Sequence, residues 1–172
     1  MKKFILFLMA GACIILMCVP VFANNYIYYL SLQPQNVQRN LVKQNTRFHV
    51  VDSLSWESPD LQETWAYTTM NVTDKVESID VYIKAGYETA LTHEVGHCVS
   101  NYAQIPYFWC NQPIYDQIWM AERYNNVMMA QGFDNKIEYF ACAYDLYIRF
   151  PQMLKRSNPL TYNYIKTVLN YT

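Results

Sequence analysis

Glycine and histidine are scarce in this chain of 172 residues, which has four of the first and three of the second. Seven prolines add little, so collagen-like repeats and low-complexity architecture are excluded. Charge is thin as well: 16% of residues are charged, 13 Lys+Arg against 14 Asp+Glu, for a net charge of −1 and no basic cluster. Neutralising a phosphate backbone takes a concentrated Lys/Arg surface, so nucleic acid is excluded as a partner. Low charge does not mean disorder here, because 52% of the residues are hydrophobic. No cysteine lies between residues 24 and 97, so no thiol upstream of the histidines can hold a metal once a leader is removed.

That leader is what the first residues spell. Lys2 and Lys3 precede an apolar run from Phe4 to Val19, Pro20 ends it, and Val21-Phe22-Ala23 offers small residues where a signal peptidase reads them. Residues 1–23 are therefore expected to be a signal peptide cut after Ala23, giving a secreted or periplasmic protein without a membrane span. An uncleaved anchor, or lipidation at Cys13 after Ala10-Gly11-Ala12, would be the other outcomes. Cys98, Cys110 and Cys142 remain, an odd number for an oxidising compartment, and a Cys98–Cys110 disulfide would close a short loop.

Residues 24–172 read as one domain of α+β class. Pro34–Lys43 predicts a helix, and 47–51, 64–68 and 80–84 predict strands, rich in β-branched and aromatic residues. Asp52–Glu63 reads as a loop. A helix is expected from about Glu88 to Tyr102, then others near 113–130, 135–149 and 159–170, with Gly132 and Pro151 as punctuation. Residues 24–33 stay open between an inhibitory arm and a strand.

The informative stretch is Leu91-Thr-His-Glu-Val-Gly-His-Cys98. On a helix His93 and His97 project from one face, so both imidazoles can reach a single Zn²⁺ at about 2.0–2.1 Å. Glu94 is then placed to take a proton from a water at the metal rather than to bind the metal. His49, alone in a strand pattern, reads as structural. A catalytic zinc needs a third protein ligand. Ser100 and Ala103 occupy the places where a further glycine and histidine would follow in HExxHxxGxxH-type spacing, which leaves a downstream carboxylate. Glu122 and Glu138 are the candidates. Glu138 shares its face with the small Ala141, Cys142 and Asp145, which permit close approach to the metal helix, and is favoured on that ground.

HEVGH, followed about forty residues later by Glu138-Tyr-Phe-Ala141, then by Phe150-Pro-Gln-Met-Leu-Lys155 and Pro159–Ile165, resembles the catalytic domain of anthrax toxin lethal factor and the secreted bacterial Pro-Pro endopeptidases. The resemblance covers roughly residues 35–170. It implies a zincin-like fold with a small mixed or mostly antiparallel sheet, zinc held by His93, His97 and Glu138, and Glu94 as general base. Two positions depart from the pattern. Family members often have an acid where this chain has Cys142, and Asp145, one turn on, is the expected substitute in supporting the ligands. Family members also tend to carry a tyrosine seven residues before the glutamate ligand, where this chain has Gln131. Gln131 could donate an N–H to the transition-state oxyanion, with Tyr124 or Tyr102 as replacements.

In zincins the strand before the metal helix is a sheet edge that pairs with an extended substrate. Asp80–Lys84 is expected in that place, Val81 and Ile83 inward and Tyr82 outward towards substrate. The expected function is that of a secreted zinc endopeptidase acting on peptide or protein. The contrasting expectation is a noncatalytic secreted module that keeps zinc and binds a protein through its cleft. Asn71-Val-Thr73 matches a glycosylation acceptor, and a bacterial source would make it irrelevant.

Overall fold

The computed structural model describes residues 21–54, 64–72, 76–100 and 109–171. The leader up to Pro20 with Cys13, most of the 52–63 loop, Thr73 and Tyr102 lie outside the described residues. Two helices, α1 (Val21–Ser31) and α2 (Gln35–Lys43), precede strands β1 (Thr46–Val51), β2 (Ala66–Val72) and β3 (Val76–Lys84). Then come α3 (Leu91–Ser100), α4 (Pro113–Glu122), α5 (Lys136–Arg149), α6 (Pro151–Ser157) and α7 (Pro159–Tyr171), with short 3-10 turns at Glu88–Ala90, Trp109–Asn111 and Val127–Gly132. Helix, strands, then helices makes an α+β fold. No helix among the described residues is long and apolar enough to cross a membrane.

The sheet order is β1-β3-β2, with β1 parallel and β2 antiparallel to β3. This corrects the expected edge: Asp80–Lys84 belongs to the central strand. Its alternation is strict, Ile79, Val81 and Ile83 being fully buried, and a strand so buried and paired on both sides has no edge to offer. Ile79, Val81 and Ile83 share one core with Leu91, Val95 and Val99 of α3.

Residues 24–33 form no strand: 24–31 belong to α1, whose Tyr26, Tyr29 and Leu30 pack against the core, and a turn follows at 32–33. The long helix expected over 113–130 ends instead at Glu122, and a separate 3-10 turn starts after Asn126, which is extended (φ −140, ψ 113) and whose side chain accepts from the Met128 N–H at 3.0 Å. Pro151, expected only to stop a helix, also starts α6 at its first position, where a missing N–H costs nothing. Cys98, Cys110 and Cys142 are all buried free thiols, so the Cys98–Cys110 bridge is not made.

Two glycines set the spacing around the site. A Cβ on Gly96 would lie 2.8 Å from the Ala141 Cα and 3.0 Å from its carbonyl oxygen, so α3 and α5 touch backbone to backbone. A Cβ on Gly132 would fall 2.2 Å from the Tyr139 Cα, which presses the 127–132 turn onto α5 and brings Gln131 beside it.

Candidate metal centre

One helical turn separates His93 from His97, and their rings meet edge to face with centroids 4.9 Å apart. Glu138 stands in the first turn of α5, where Asn135 caps the helix by accepting from the N–H groups of Ile137 and Glu138 at 3.0 and 3.4 Å. Its carboxylate reaches across to α3: Oε2 is 3.1 Å from His93 Nε2, and Oε1 is 3.6 Å from His97 Nε2. Ligand atoms at about 2.0–2.1 Å around a tetrahedral zinc lie about 3.4 Å from one another. The two imidazoles and one carboxylate therefore already stand near the spacing such an ion requires, and this donor set is one that zinc prefers.

The electrostatics agree with a site built for a cation. Burial opposes charge on His93, but hydrogen bonding to Cys142 and Glu138 outweighs it and lifts the pKa to about 10, so the metal-free site holds a proton where a cation would sit. Burial and the neighbouring His93 charge push His97 down to about 4, against the pull of Glu138, which keeps that ring neutral. The hydrogen bond to His93 holds the Glu138 carboxyl below its usual range, although burial works the other way.

Glu94 has its carboxyl raised, first by burial and also by Glu138, with His93 and Thr68 opposing. It is 5% exposed, and its ligand-type atoms and those of His93 and His97 lie within 4.8 Å of one another. The Thr68 hydroxyl of β2 donates to Oε2 at 2.5 Å. Sequence reasoning missed Thr68, because only the register of β2 across α3 reveals which strand residue meets the glutamate.

A cleft of about 1290 Å³ opens over these groups, with Thr64, Trp65 and the β2 residues Ala66–Thr68 and Met70 on one wall and Gln131, Cys142 and Arg149 on the other. Among the described residues β2 is an edge of the sheet, with one side unpaired. Lys84 N–H donates to the Trp65 carbonyl at 2.8 Å, and Tyr67 stands opposite Tyr82, so the odd-numbered residues bond β3. The backbone groups of Ala66, Thr68 and Met70 turn to the outer edge instead.

The remaining candidates divide. Gln131 lines the cleft beside Cys142. Tyr82 does not: it lies on the far face of the sheet, stacked on His49 at 4.6 Å and on Tyr67 at 6.2 Å, because it alternates with the core-facing Val81 and Ile83. Tyr124 is 60% exposed and packs on Phe133 at 5.1 Å, outside the cleft lining. Asp145 reaches the cleft wall, but both its oxygens are taken by Arg149, one turn along α5, and not by a ligand. The group against the far nitrogen of His93 is Cys142, with Sγ 3.6 Å from Nδ1. Glu122 is remote in function: its carboxylate accepts from Leu160 N, Thr161 N and Thr161 Oγ1 at 2.9, 2.9 and 2.7 Å and so caps α7. His49 pairs with Asp80 at 2.8 Å on the sheet's outer face.

Comparison with known proteins gives two findings. A family model described as anthrax toxin lethal factor, N- and C-terminal domain, matches residues 37–168. The structure is similar to that of the Pro-Pro endopeptidase PPEP-2 from Paenibacillus alvei, with a TM-score of 0.53 and 18% identity over 86% of this chain and 90% of that one. No curated protein sequence matches the chain.

Proposed function

This chain belongs to the anthrax toxin lethal factor family, and from that premise we propose that it is an exported zinc endopeptidase in which His93, His97 and Glu138 hold the metal and Glu94 is the general base. One observation carries the reading: the Glu138 carboxylate, from a different helix, meets both histidine Nε2 atoms at 3.1 and 3.6 Å. Zinc bound there supplies Lewis-acid chemistry, polarising a carbonyl and making water acidic enough to lose a proton near neutral pH.

The chain's own residues do the rest. Glu94 neighbours the first ligand on the same helix, and a carboxylate whose pKa is raised by burial is a better proton acceptor than an exposed one. Thr68 occupies its Oε2 and fixes the plane of the carboxylate, leaving the other oxygen to take the proton and pass it to the leaving amine. The outward N–H and C=O groups of Ala66, Thr68 and Met70 suit an extended peptide, which would pair with β2 along the cleft. Export rests on the pattern of the first residues, Lys2-Lys3, the apolar run to Val19 and Val21-Phe22-Ala23. An intact mass of the secreted protein should start at Asn24; a first residue elsewhere would remove that part of the reading.

Glu94→Gln separates an enzyme from a zinc-keeping cleft binder. The variant should retain one zinc per chain and lose cleavage of a peptide library by at least about 100-fold, the scale of general-base contributions. Cleavage at the wild-type rate would refute the mechanism. A wild-type protein that binds zinc and cleaves nothing would point to the noncatalytic module.

A further inference from the structure

A histidine that ligates a metal through Nε2 must carry its hydrogen on Nδ1, and that N–H needs an acceptor behind it to fix tautomer and ring angle. In the described structure His93 uses Nε2 towards Glu138, which leaves Nδ1 facing α5. The atom there is Cys142 Sγ at 3.6 Å, a usual length for a hydrogen bond to sulfur. Asp145, the carboxylate next along that helix, is held by the Arg149 guanidinium instead. Cys142 in turn has its thiol 3.9 Å from the side-chain carbonyl of Gln131, in the turn that Gly132 presses against α5.

We propose that Cys142 is the positioning residue of this metal centre: its sulfur accepts the Nδ1–H of His93 while its own S–H is directed to the Gln131 Oε1. Each group then has one role, donor or acceptor, and the chain His93–Cys142–Gln131 has a single sense. Its last member spends its carbonyl on the thiol, so the Gln131 amide N–H groups turn to the cleft that Gln131 lines. The same bond that orients a ligand thereby orients a donor towards the reacting end of the cleft. Geometry also explains why a thiol serves here. Cys142 is 8% exposed and lies one turn beyond Glu138 on the tightly packed face of α5, where a small polarisable atom fits between a ring and a helix.

This inference rests on the metal reading above, and the experiment keeps the two apart. Zinc affinity is measured by competition with a chromophoric chelator for the full processed chain, Cys142→Val and Cys142→Asp, with the melting temperature of each metal-free protein alongside. Valine removes the acceptor and is slightly larger than cysteine, a packing change that the metal-free melting temperature reports separately; aspartate restores an acceptor with slightly longer reach. Cys142→Val should bind zinc at least about 10-fold more weakly, the lower end for loss of a ligand's supporting partner. Cys142→Asp should bind at least as tightly as wild type. In the zinc-loaded wild type the His93 Nδ1–H should appear as a slowly exchanging imidazole proton by NMR, and it should vanish in Cys142→Val. That signal reports the hydrogen bond itself, which a role in packing alone would not move. Equal affinities for wild type and Cys142→Val, or no recovery in Cys142→Asp, would overturn the proposal while leaving zinc binding intact. A wild-type chain that takes up no zinc would overturn the metal reading and this one with it.

Discussion

Replacing Gly96 by alanine tests how the two halves of the metal centre are held together. The new Cβ would lie 2.8 Å from the Ala141 Cα, whereas unstrained carbon contacts are about 3.5–4.0 Å, a deficit of roughly 0.7–1.2 Å. The obstacle is backbone, so no rotamer change relieves it and α3 must move away from α5. Overpacking of this kind costs about 1–3 kcal/mol, and alanine returns about 1 kcal/mol of helix propensity. The net is a loss of about 0–2 kcal/mol, which at this chain length lowers the melting temperature by about 2–4 °C per kcal/mol. The site responds more sharply. His93 and His97 flank Gly96 on α3 while Glu138 stands one turn from Ala141 on α5, so the separations of 3.1 and 3.6 Å widen together. With free zinc at a hundredfold excess over the wild-type dissociation constant, zinc stabilises the wild type by about 2.7 kcal/mol, and tenfold weaker binding removes about 1.4 kcal/mol of that. Thermal unfolding with and without zinc should show the Gly96→Ala variant losing at least that part of the increment. A variant that melts no lower without metal and gains as much from zinc as the wild type would refute the argument that these helices touch at Gly96.

What the sequence shows and what it hides follow from the same geometry. HEVGH is legible because its chemistry is local: four residues of helix place two imidazoles on one face whatever surrounds them. Glu138 needed a second inference, that small residues allow close approach, and Gly96 against Ala141 is the contact in question. Strand order was not legible. Ile79, Val81 and Ile83 alternate in the same way whether their strand is central or at an edge, because periodicity records the buried face and not the hydrogen-bonding neighbours. Tyr82 was misplaced for that reason. Placing it outward was correct as to side, but outward from this sheet is away from the cleft. Thr68 was hidden more deeply, since its partner is 26 residues away and only tertiary register joins them. Cys142 was visible as a departure from a pattern, with Asp145 expected to compensate. The nearby Arg149 claims that aspartate through an i,i+4 pair, a local competitor stronger than the more distant ring.

Two further predictions concern stability rather than chemistry. Asp80 is the meeting point of Arg47 at 2.5 Å and His49 at 2.8 Å; burial raises its carboxyl, but the hydrogen bonds from His49 and Arg47 outweigh this and hold it below its usual value. A depressed carboxyl stabilises the fold above the unfolded pKa of about 3.9 and loses that contribution as pH falls through the folded value. Asp80→Asn should therefore lower the unfolding free energy from urea titration at pH 7, by no more than about 1 kcal/mol given the half-exposed Arg47, and the gap from wild type should narrow steadily as pH falls below about 4; a gap that does not change with pH in that range would contradict the assignment. Glu122 carries a larger load. Its carboxylate is 4% exposed and satisfies two backbone N–H groups and one hydroxyl at the start of α7, where the helix dipole also favours negative charge. Glu122→Ala leaves those buried donors without partners, at about 1–3 kcal/mol for each orphaned group, whereas Glu122→Gln keeps one acceptor oxygen and should cost less. Because the residue touches α7 and not the cleft, neither change should alter zinc affinity in chains that remain folded. A Glu122→Ala variant that melts with the wild type, or that loses zinc while still folded, would return Glu122 to the list of candidate ligands and unseat the reading of α7 as a capped helix.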